Sequence, residues 1–590
     1  MLNLTINEVP VAVPEGASVL DACRAAGVRV PTLCHLEGHP GMGACRVCLV
    51  EVEGARGLAA SCSMPATPGM KVKTNTARVR LARRTVVELL LSEHEGDCRT
   101  CLRADDCELQ RLAYEMGVRE VRYAGAKPHS VFDESTPALV RETGKCIKCR
   151  RCVTVCNETQ GVGALFPQER GFDTIIGPAF GANLSEVVCV QCGQCAAVCP
   201  VGAICERDQI DEVFAALSDP TKHVVVQTAP AIRAALGEGF GLPPGTLVTG
   251  KMVTALRRLG FAAVFDTNFT ADLTILEEGT ELLTRLKTAL VDKGDVALPM
   301  FTSCSPGWIK FAEHFYPEIL PNISTCKSPQ QMFGAVAKTY YADRVGKKAE
   351  EMFVVSIMPC TAKKFEAQRP EMAASGARDV DVVLTTRELI RMIREAGIDF
   401  VSLPDSEMDN PLGVSSGAAD IFANTGGVME AALRTAYEIV TGREMPGDNL
   451  HVRPVAGLEG VKEASIPVTS VKPEWSFLEG AELKVAVAHG LHNARDVIEA
   501  VKSGKKSYHF IEVMTCPGGC IGGGGQPRFT DDSVRLARIA AIYREDEGKR
   551  LRKSHENPDV AKLYKEFLEK PLGHRSHELL HTKYVTRTSV

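Results

Sequence analysis

Two stretches of this chain, KCIKCRRCVTVCN and VCVQCGQCAAVCP, repeat one spacing, C-x2-C-x2-C-x3-C. It falls at Cys146, Cys149, Cys152 and Cys156, and again at Cys189, Cys192, Cys195 and Cys199. Thiols this dense leave a short segment little else from which to build a core, so they must bind something or one another. The first residues, MLNLTINEVP, show no basic stretch leading into an apolar core, so no signal peptide is read and a cytoplasmic location is expected. Disulfides do not persist there, and the 22 cysteines of these 590 residues therefore point to metal. The length implies several domains. A net charge of −5 without a face-sized run of Lys or Arg gives no reason to expect nucleic acid as a partner. No apolar run approaches the ~20 residues of a membrane-spanning helix.

The repeated spacing, with Pro200 after the last cysteine, is that of bacterial ferredoxins, where the fourth cysteine of each run ligates the other cluster. One [4Fe–4S] cluster is then expected on Cys146, Cys149, Cys152 and Cys199, and another on Cys189, Cys192, Cys195 and Cys156. Two further groups precede them. After an expected hairpin (LNLTI, VPVAV) and a short helix (SVLDACRAAG) come Cys34, Cys45, Cys48 and Cys62, spaced C-x10-C-x2-C-x13-C. One close pair with two isolated cysteines differs from a zinc ribbon and resembles the loop of plant-type [2Fe–2S] ferredoxins, with a shorter gap inside the loop. The helical stretch RLARRTVVELLLSEHEGDC then leads to His94, Cys98, Cys101 and Cys107. That set alone would suit zinc as well as iron; its neighbours favour a [4Fe–4S] cluster. Four centres within residues 1 to about 210 read as a path for single electrons, a task that redox-inert zinc cannot perform.

From His223 the texture changes. HVVVQTAP, FVVSIMPC, LKVAVAHG and YHFIEVMTC read as buried strands, and MVTALRRLG and TTRELIRMIREAG as helices, giving α/β layers. Cysteines become sparse and fall in three groups: FTSCSPGW (301–308), IMPCTAKKFE (357–366) and EVMTCPGGCIGGGGQP (512–527). Thiolates from three distant segments can converge on one buried centre. The glycines from Gly522 to Gly525 suggest a backbone pressed against something bulky.

These three segments resemble the signature motifs of [FeFe]-hydrogenases, TSCCPxW, MPCxxKxxE and ExMxCxxGCxxGGGxP. The front end resembles that of the family's largest members, and the tail LYKEFLEKPLGHRSHELLHTKY is similar to the family's small-subunit segment. The resemblance implies a multidomain α/β chain. Its parts are a β-grasp [2Fe–2S] domain at 1–78, a His/Cys3 [4Fe–4S] domain at 79–118 and a 2[4Fe–4S] ferredoxin domain at 137–210. A two-lobed α/β H-cluster domain at 220–535 and a helical segment at 536–590 follow. The H-cluster it implies is a [4Fe–4S] cubane bridged through a cysteine sulfur to a di-iron subsite carrying CO, cyanide and an azadithiolate. Cys360 and Cys516 would hold the cubane, Cys520 would be the bridge and Lys363 would donate to a cyanide. Pro230, Ser328, Gln330, Met358 and Met514 match pocket-lining positions. The family's first motif has a Cys-Cys pair where this chain has Cys304-Ser305. Two readings stay open. Either serine ligates the cubane and Cys304 shuttles protons, or Cys304 is the ligand, as the softer donor, with the Ser305 hydroxyl as a relay. The second is preferred here; Cys326 is expected to pack.

Hydrogen offers a protein nothing to hydrogen-bond, so its activation is heterolytic, and by resemblance the bridging amine takes the proton. The matching proton route runs from Cys304 or Ser305 through Glu278, Ser324, Glu281 and Arg285, with Glu278 and Glu281 on one helix face. Electrons would leave through the accessory clusters. There is no G-x-G-x-x-G after a strand and no Walker loop, so NAD(P) chemistry belongs to a partner. The resemblance names a flavin-containing diaphorase subunit with a thioredoxin-like [2Fe–2S] subunit, or ferredoxin. Three rivals are a hydrogen sensor sharing the H-cluster, the hydrogenase-like iron–sulfur assembly factor of eukaryotes, which lacks the [2Fe–2S] front end, and an electron-transfer subunit with no chemistry of its own. Sensors usually append a signalling module, and none is apparent; a bare wire has no use for the three later motifs.

Overall fold

A computed structural model describes residues 1–588 apart from 124, 447 and 529. LNLTI and VPVAV pair antiparallel as Leu2–Ile6 and Val9–Val13. Asn7 and Glu8 between them both take positive φ, the two-residue turn whose twist suits the strands it joins. Leu2–Ile6 also pairs in parallel with Lys71–Lys73, within a five-stranded sheet. Helix Val19–Ala25, started by a capping box between Ser18 and Asp21, buries Val19 and Leu20 against Leu4, Ile6, Val50 and Val72. The helix Ala77–Glu93 follows, capped by Thr76, and the chain turns extended at His94.

The two four-cysteine runs fold alike. Lys148 and Arg150 in the first, and Gln191 and Gly193 in the second, take positive φ. A short helix follows each, Arg151–Thr154 and Gln194–Val198. The turn points backbone N–H groups inward, and that of Lys148 lies 3.3 Å from Cys146 Sγ. Strands Leu139–Glu142 and Ile204–Glu206 pair antiparallel and tie the ends of the unit together.

Two four-stranded sheets organise the rest. In the first, Ala263–Asp266, His223–Thr228, Met352–Met358 and Val382–Thr385 are all parallel. In the second, Met300–Phe301, Phe510–Met514 and Glu482–His489 are parallel, and Val461–Pro467 is antiparallel at the edge. The continuous apolar runs in the sequence reflect strands covered on both faces. Parallel strands end on one side of their sheet, which is where ligands collect in such folds. Cys360 follows Met352–Met358, Cys516 follows Phe510–Met514 and Cys304 follows Met300–Phe301. The topology thus gathers cysteines more than 200 residues apart.

Helix Thr267–Lys287 is buried along most of its length and packs against Pro329–Val336. Behind it, Arg233 is held between Asp266 at 2.8 Å and Asp420 at 2.9 Å. The C-terminal helices Asp532–Gly548, Pro558–Leu563 and His574–Leu580 close over this body, and Val560, Leu563, Leu568, Leu579 and Leu580 join its main core. Among the described residues, no helix is long and apolar enough to cross a membrane.

Candidate metal centres and their surroundings

Cys34, Cys45, Cys48 and Cys62 are all buried, with Cys48 and Cys62 sulfurs 3.5 Å apart. Hydrogen bonds from Cys45 and Cys62 draw the Cys34 thiol down from its ordinary range. The loop is pressed tight: a Cβ on Gly41 would lie 1.7 Å from the Cys62 carbonyl oxygen. His94, Cys98, Cys101 and Cys107 line one small cavity. His94 Nδ1 is buried without a partner, and burial lowers the pKa of the ring, favouring the neutral imidazole that ligates metal.

In the dicluster unit, Cys146, Cys149, Cys152 and Cys199 line a single cavity. Three come from one run and the fourth from the other, the crossed arrangement. Cys195 is raised by burial and then by the charges of Cys189 and Cys156, so those thiols form the second set. Cys192 is raised by burial and then by Cys516, which places this set beside the next centre. Gln194 donates to the Gly522 carbonyl at 2.9 Å, and Thr361 to that of Gln191 at 2.7 Å, across the same junction.

Cys304, Ser305, Cys360, Cys516 and Cys520 share one cavity with Pro230, Gln330, Met358, Lys363 and Met514. Burial raises all four thiols; Cys520 is pushed up to about 12 by burial and then by Cys360. Buried thiols that resist ionisation are stabilised as thiolates by a bound metal, and the donor set suits iron–sulfur chemistry. Lys363 Nζ donates to the Cys304 carbonyl at 3.1 Å and pairs with Glu366 at 2.8 Å. Glu366 also accepts from Ser328 at 2.9 Å and from Gln330 at 3.2 Å. Ser328 therefore stands behind the wall and acts through Glu366.

Sequence reasoning missed Glu366, although the K-x-x-E spacing on a short helix was the available signal. It also missed Thr267, Phe422 and Thr515, which line the cavity and carry no motif signal of their own. The glycine run needs correcting. Of Gly522 to Gly525 only Gly523 lines the cavity. A Cβ on Gly522, Gly523 or Gly524 would lie 2.1 to 2.2 Å from the carbonyl oxygens of Pro517, Pro359 and Cys192 respectively. The bulky neighbour of the run is protein backbone, which packs there before any cofactor is considered.

Of the proposed proton residues, Glu278 packs against the segment that carries Cys304, and Ser324 and Arg285 both meet Glu281. Glu278 Oε1 accepts from the Ser303 N–H at 3.3 Å, and Glu278 Oε2 is buried without a partner. Burial and then Glu281 push the Glu278 carboxyl up to about 8. Ser324 donates to Glu281 at 2.8 Å, and Arg285 pairs with Glu281 at 2.7 Å. Cys326 is fully buried, packs in the main core and does not line the cavity.

Comparison with known proteins adds a second line of support. Residues 222–524 match the iron only hydrogenase large subunit, C-terminal domain, and 532–587 the iron hydrogenase small subunit. Residues 1–77 match a 2Fe-2S iron-sulfur cluster binding domain. Residues 83–122 match the NADH-ubiquinone oxidoreductase-G iron-sulfur binding region, and 145–203 a 4Fe-4S dicluster domain. The NADP-reducing hydrogenase subunit HndD of Solidesulfovibrio fructosivorans is 52% identical over 593 residues, covering 100% of this chain and 99% of that protein. Iron hydrogenase 1 of Clostridium pasteurianum is 40% identical over 591 residues, covering 99% and 100%. Among solved structures, an apo [FeFe]-hydrogenase HydA1 from Chlamydomonas reinhardtii superposes with a TM-score of 0.57 at 46% identity, covering 64% of this chain and 99% of that one.

Fold and site together define an iron–sulfur oxidoreductase with one cysteine-lined pocket in the domain that follows the iron–sulfur cluster binding domains. The chain belongs to the iron-only, or [FeFe], hydrogenase family. It is a catalytic subunit with accessory iron–sulfur domains, and its reaction is hydrogen oxidation and proton reduction.

Proposed function

We propose that the cavity holds an H-cluster, with Cys360 and Cys516 on the cubane and Cys520 bridging to a di-iron subsite that carries CO, cyanide and an azadithiolate. When bound, that group supplies heterolytic cleavage of hydrogen into protons and electrons. The observation that carries this reading is the convergence of Cys360, Cys516, Cys520 and Lys363 on one cavity from the strand ends of two sheets. Lys363, fixed by Glu366, offers a buried cation to an anionic ligand. Met358, Met514 and Pro230 give the pocket apolar walls that keep water out, and Gln330 adds an amide.

Of the two readings of Cys304-Ser305, the contacts favour Cys304 as proton relay. Cys304 lines the cavity and its neighbour Ser303 bonds Glu278, and after burial the charge of Glu278 is the largest influence on its thiol. Ser305 Oγ lies 2.8 Å from Thr515 Oγ1 and accepts the Thr515 N–H at 3.2 Å, next to Cys516. Hydrogen bonds of this kind favour a serine oxygen in its charged form, and Ser305 is the donor left for the fourth cubane corner. Protons then pass through Glu278, Ser324 and Glu281.

Electrons leave through four accessory clusters on the thiol sets described above, ending at the [2Fe–2S] or the histidine-ligated centre. The domain limits 1–78, 79–118, 137–210, 220–535 and 536–590, a β-grasp front unit and a two-lobed catalytic domain complete this reading. Its supports are the matched residue ranges and the two four-stranded sheets. The terminal acceptor is NADP in the cytoplasm, reached through a flavin-containing subunit and a thioredoxin-like [2Fe–2S] subunit, because a relative spanning the whole chain is an NADP-reducing hydrogenase subunit. The test is infrared spectroscopy on the matured chain, with hydrogen-driven NADP reduction assayed with and without the partner subunits. Absence of diatomic-ligand bands would overturn the H-cluster. Full-rate NADP reduction by the chain alone would overturn the partnership.

A further inference from the structure

Arg285 is a poor place for a proton to leave. Its guanidinium stays charged at any physiological pH. It is also fully engaged, donating to Glu281 and to the carbonyls of Ala297, Pro321 and Ile323. It fixes the Glu281 carboxylate.

On another side of the same carboxylate lies an imidazole. Backbone bonds from Lys327 N–H to Leu580 O and from Thr582 N–H to Thr325 O, both 2.7 Å, lay the C-terminal tail along residues 325–327. His581 is thereby carried inward until its side chain is only 5% exposed. Its Nδ1 lies 2.8 Å from Thr325 Oγ1, and that hydroxyl lies 3.4 Å from Glu281 Oε2. Its Nε2 lies 3.2 Å from Glu277 Oε2. Glu277 is held in turn by the Tyr564 hydroxyl at 2.7 Å and the Leu572 N–H at 2.8 Å. Burial pushes the Glu277 carboxyl up, but its bonds from His581, Leu572 and Tyr564 outweigh that and leave it below its ordinary range. A carboxylate so fixed orients an imidazole with Nε2–H towards it and leaves Nδ1 to exchange protons. The titratable groups facing the ring are Glu277, Glu281, the Cys326 thiol and exposed His577, whose ring centroid is 4.4 Å away.

We infer that His581 relays protons between Glu281 and solvent, bridged by the Thr325 hydroxyl and held in tautomer by Glu277; this rests on the proton route proposed above. In the outward direction Glu281 O–H gives its proton to Thr325 Oγ1 as the Thr325 proton moves to His581 Nδ1. The imidazolium then turns Nδ1–H away from Thr325 towards exposed His577, whose ring centroid is 4.4 Å away, gives that proton to water there, and swings back with Nδ1 free to accept the next one. Only O–H and N–H bonds form and break, and no electron moves. The C-terminal segment thus completes the route to solvent as well as packing on the core.

The test uses matured, full-length holoenzyme and hydrogen oxidation with methyl viologen across pH. His581→Ala should lower kcat about tenfold or more, the low end of what general acid–base groups contribute, with unchanged infrared bands. Added imidazole should restore most of the rate and set the pH profile. Thr325→Val should also slow turnover, without rescue by imidazole. Wild-type rate and pH profile in His581→Ala, or a loss that imidazole does not restore while the bands are intact, would overturn the inference. Should His581→Ala fail to mature, His581→Gln decides instead: it keeps both hydrogen bonds and cannot relay, so a wild-type rate overturns the inference and a slow one supports it. Glu278→Gln, run in parallel, separates the two levels. A fast Glu278→Gln removes the underlying route, whereas a slow Glu278→Gln beside a fast His581→Ala removes only the outlet.

Discussion

Glu278→Gln removes one titrating O–H from a buried helix and leaves the side-chain shape almost unchanged. Glu278 is 1% exposed, and burial followed by the charge of Glu281 pushes its carboxyl up to about 8 from 4.5. At about 1.4 kcal/mol per unit, ionising it in place costs about 5 kcal/mol more than in water. It therefore rests protonated at pH 7, by roughly ten to one. Glutamine is also neutral and its amide oxygen can keep the Ser303 N–H bond, so the field at the cavity is preserved and only proton cycling is lost. The expected result is a fall in kcat of about 10²–10⁴, with infrared bands and accessory-cluster paramagnetic signals as in wild type. The pH dependence carries a sign. Hydrogen evolution uses the acid form, which is present below the raised pKa and lost as pH rises through about 8. Evolution should therefore weaken above that value in wild type, and the variant should lack this limb. Activity within a factor of about three of wild type, against the ~10²-fold or more expected of a relay, would refute the reasoning.

Cys304→Ala should cost about 10²–10⁴ in turnover and keep the cubane signal in paramagnetic resonance; loss of that signal would instead make Cys304 the ligand. Gly524→Ala places a Cβ 2.1 Å from the Cys192 carbonyl oxygen, where only backbone could yield. The overpacking cost of about 1–3 kcal/mol falls on the junction between the dicluster unit and the cavity. Hydrogen-driven viologen reduction should drop while hydrogen–deuterium exchange, which needs no electron exit, persists; equal losses in both assays would count against a role confined to electron transfer. His94→Cys exchanges a neutral ligand for a thiolate, adds negative charge to its cluster and should lower that cluster's potential in a redox titration. An unchanged potential would remove His94 from the ligand set.

The strands, the hairpin turn and the two four-cysteine runs were legible because their signals are local. The valine run in HVVVQT signals a strand, and it became the covered strand His223–Thr228. The crossed thiol sets followed from a spacing that admits few other uses. What stayed illegible is tertiary. Glu278 and Glu281 entered the route only through the resemblance, because nothing in TILEEGTELLTR itself announces that this face of the helix is buried. In water Glu278 would be an ordinary carboxylate; burial, and then the charge of Glu281, pushes its carboxyl up to about 8. Glu277 is silent for the same reason, since its worth depends on His581 arriving from 304 residues away. The glycine run marks the limit most clearly. A glycine shows that something approaches its Cα too closely for a Cβ, and says nothing of what approaches. Here the neighbours of three of them are the Pro517, Pro359 and Cys192 carbonyls, so the motif's glycines serve to dock the last loop on the second motif and on the dicluster unit. The cavity that Cys304, Cys360, Cys516 and Cys520 line is closed on this side because those backbones meet, and the same meeting seats it against the dicluster unit.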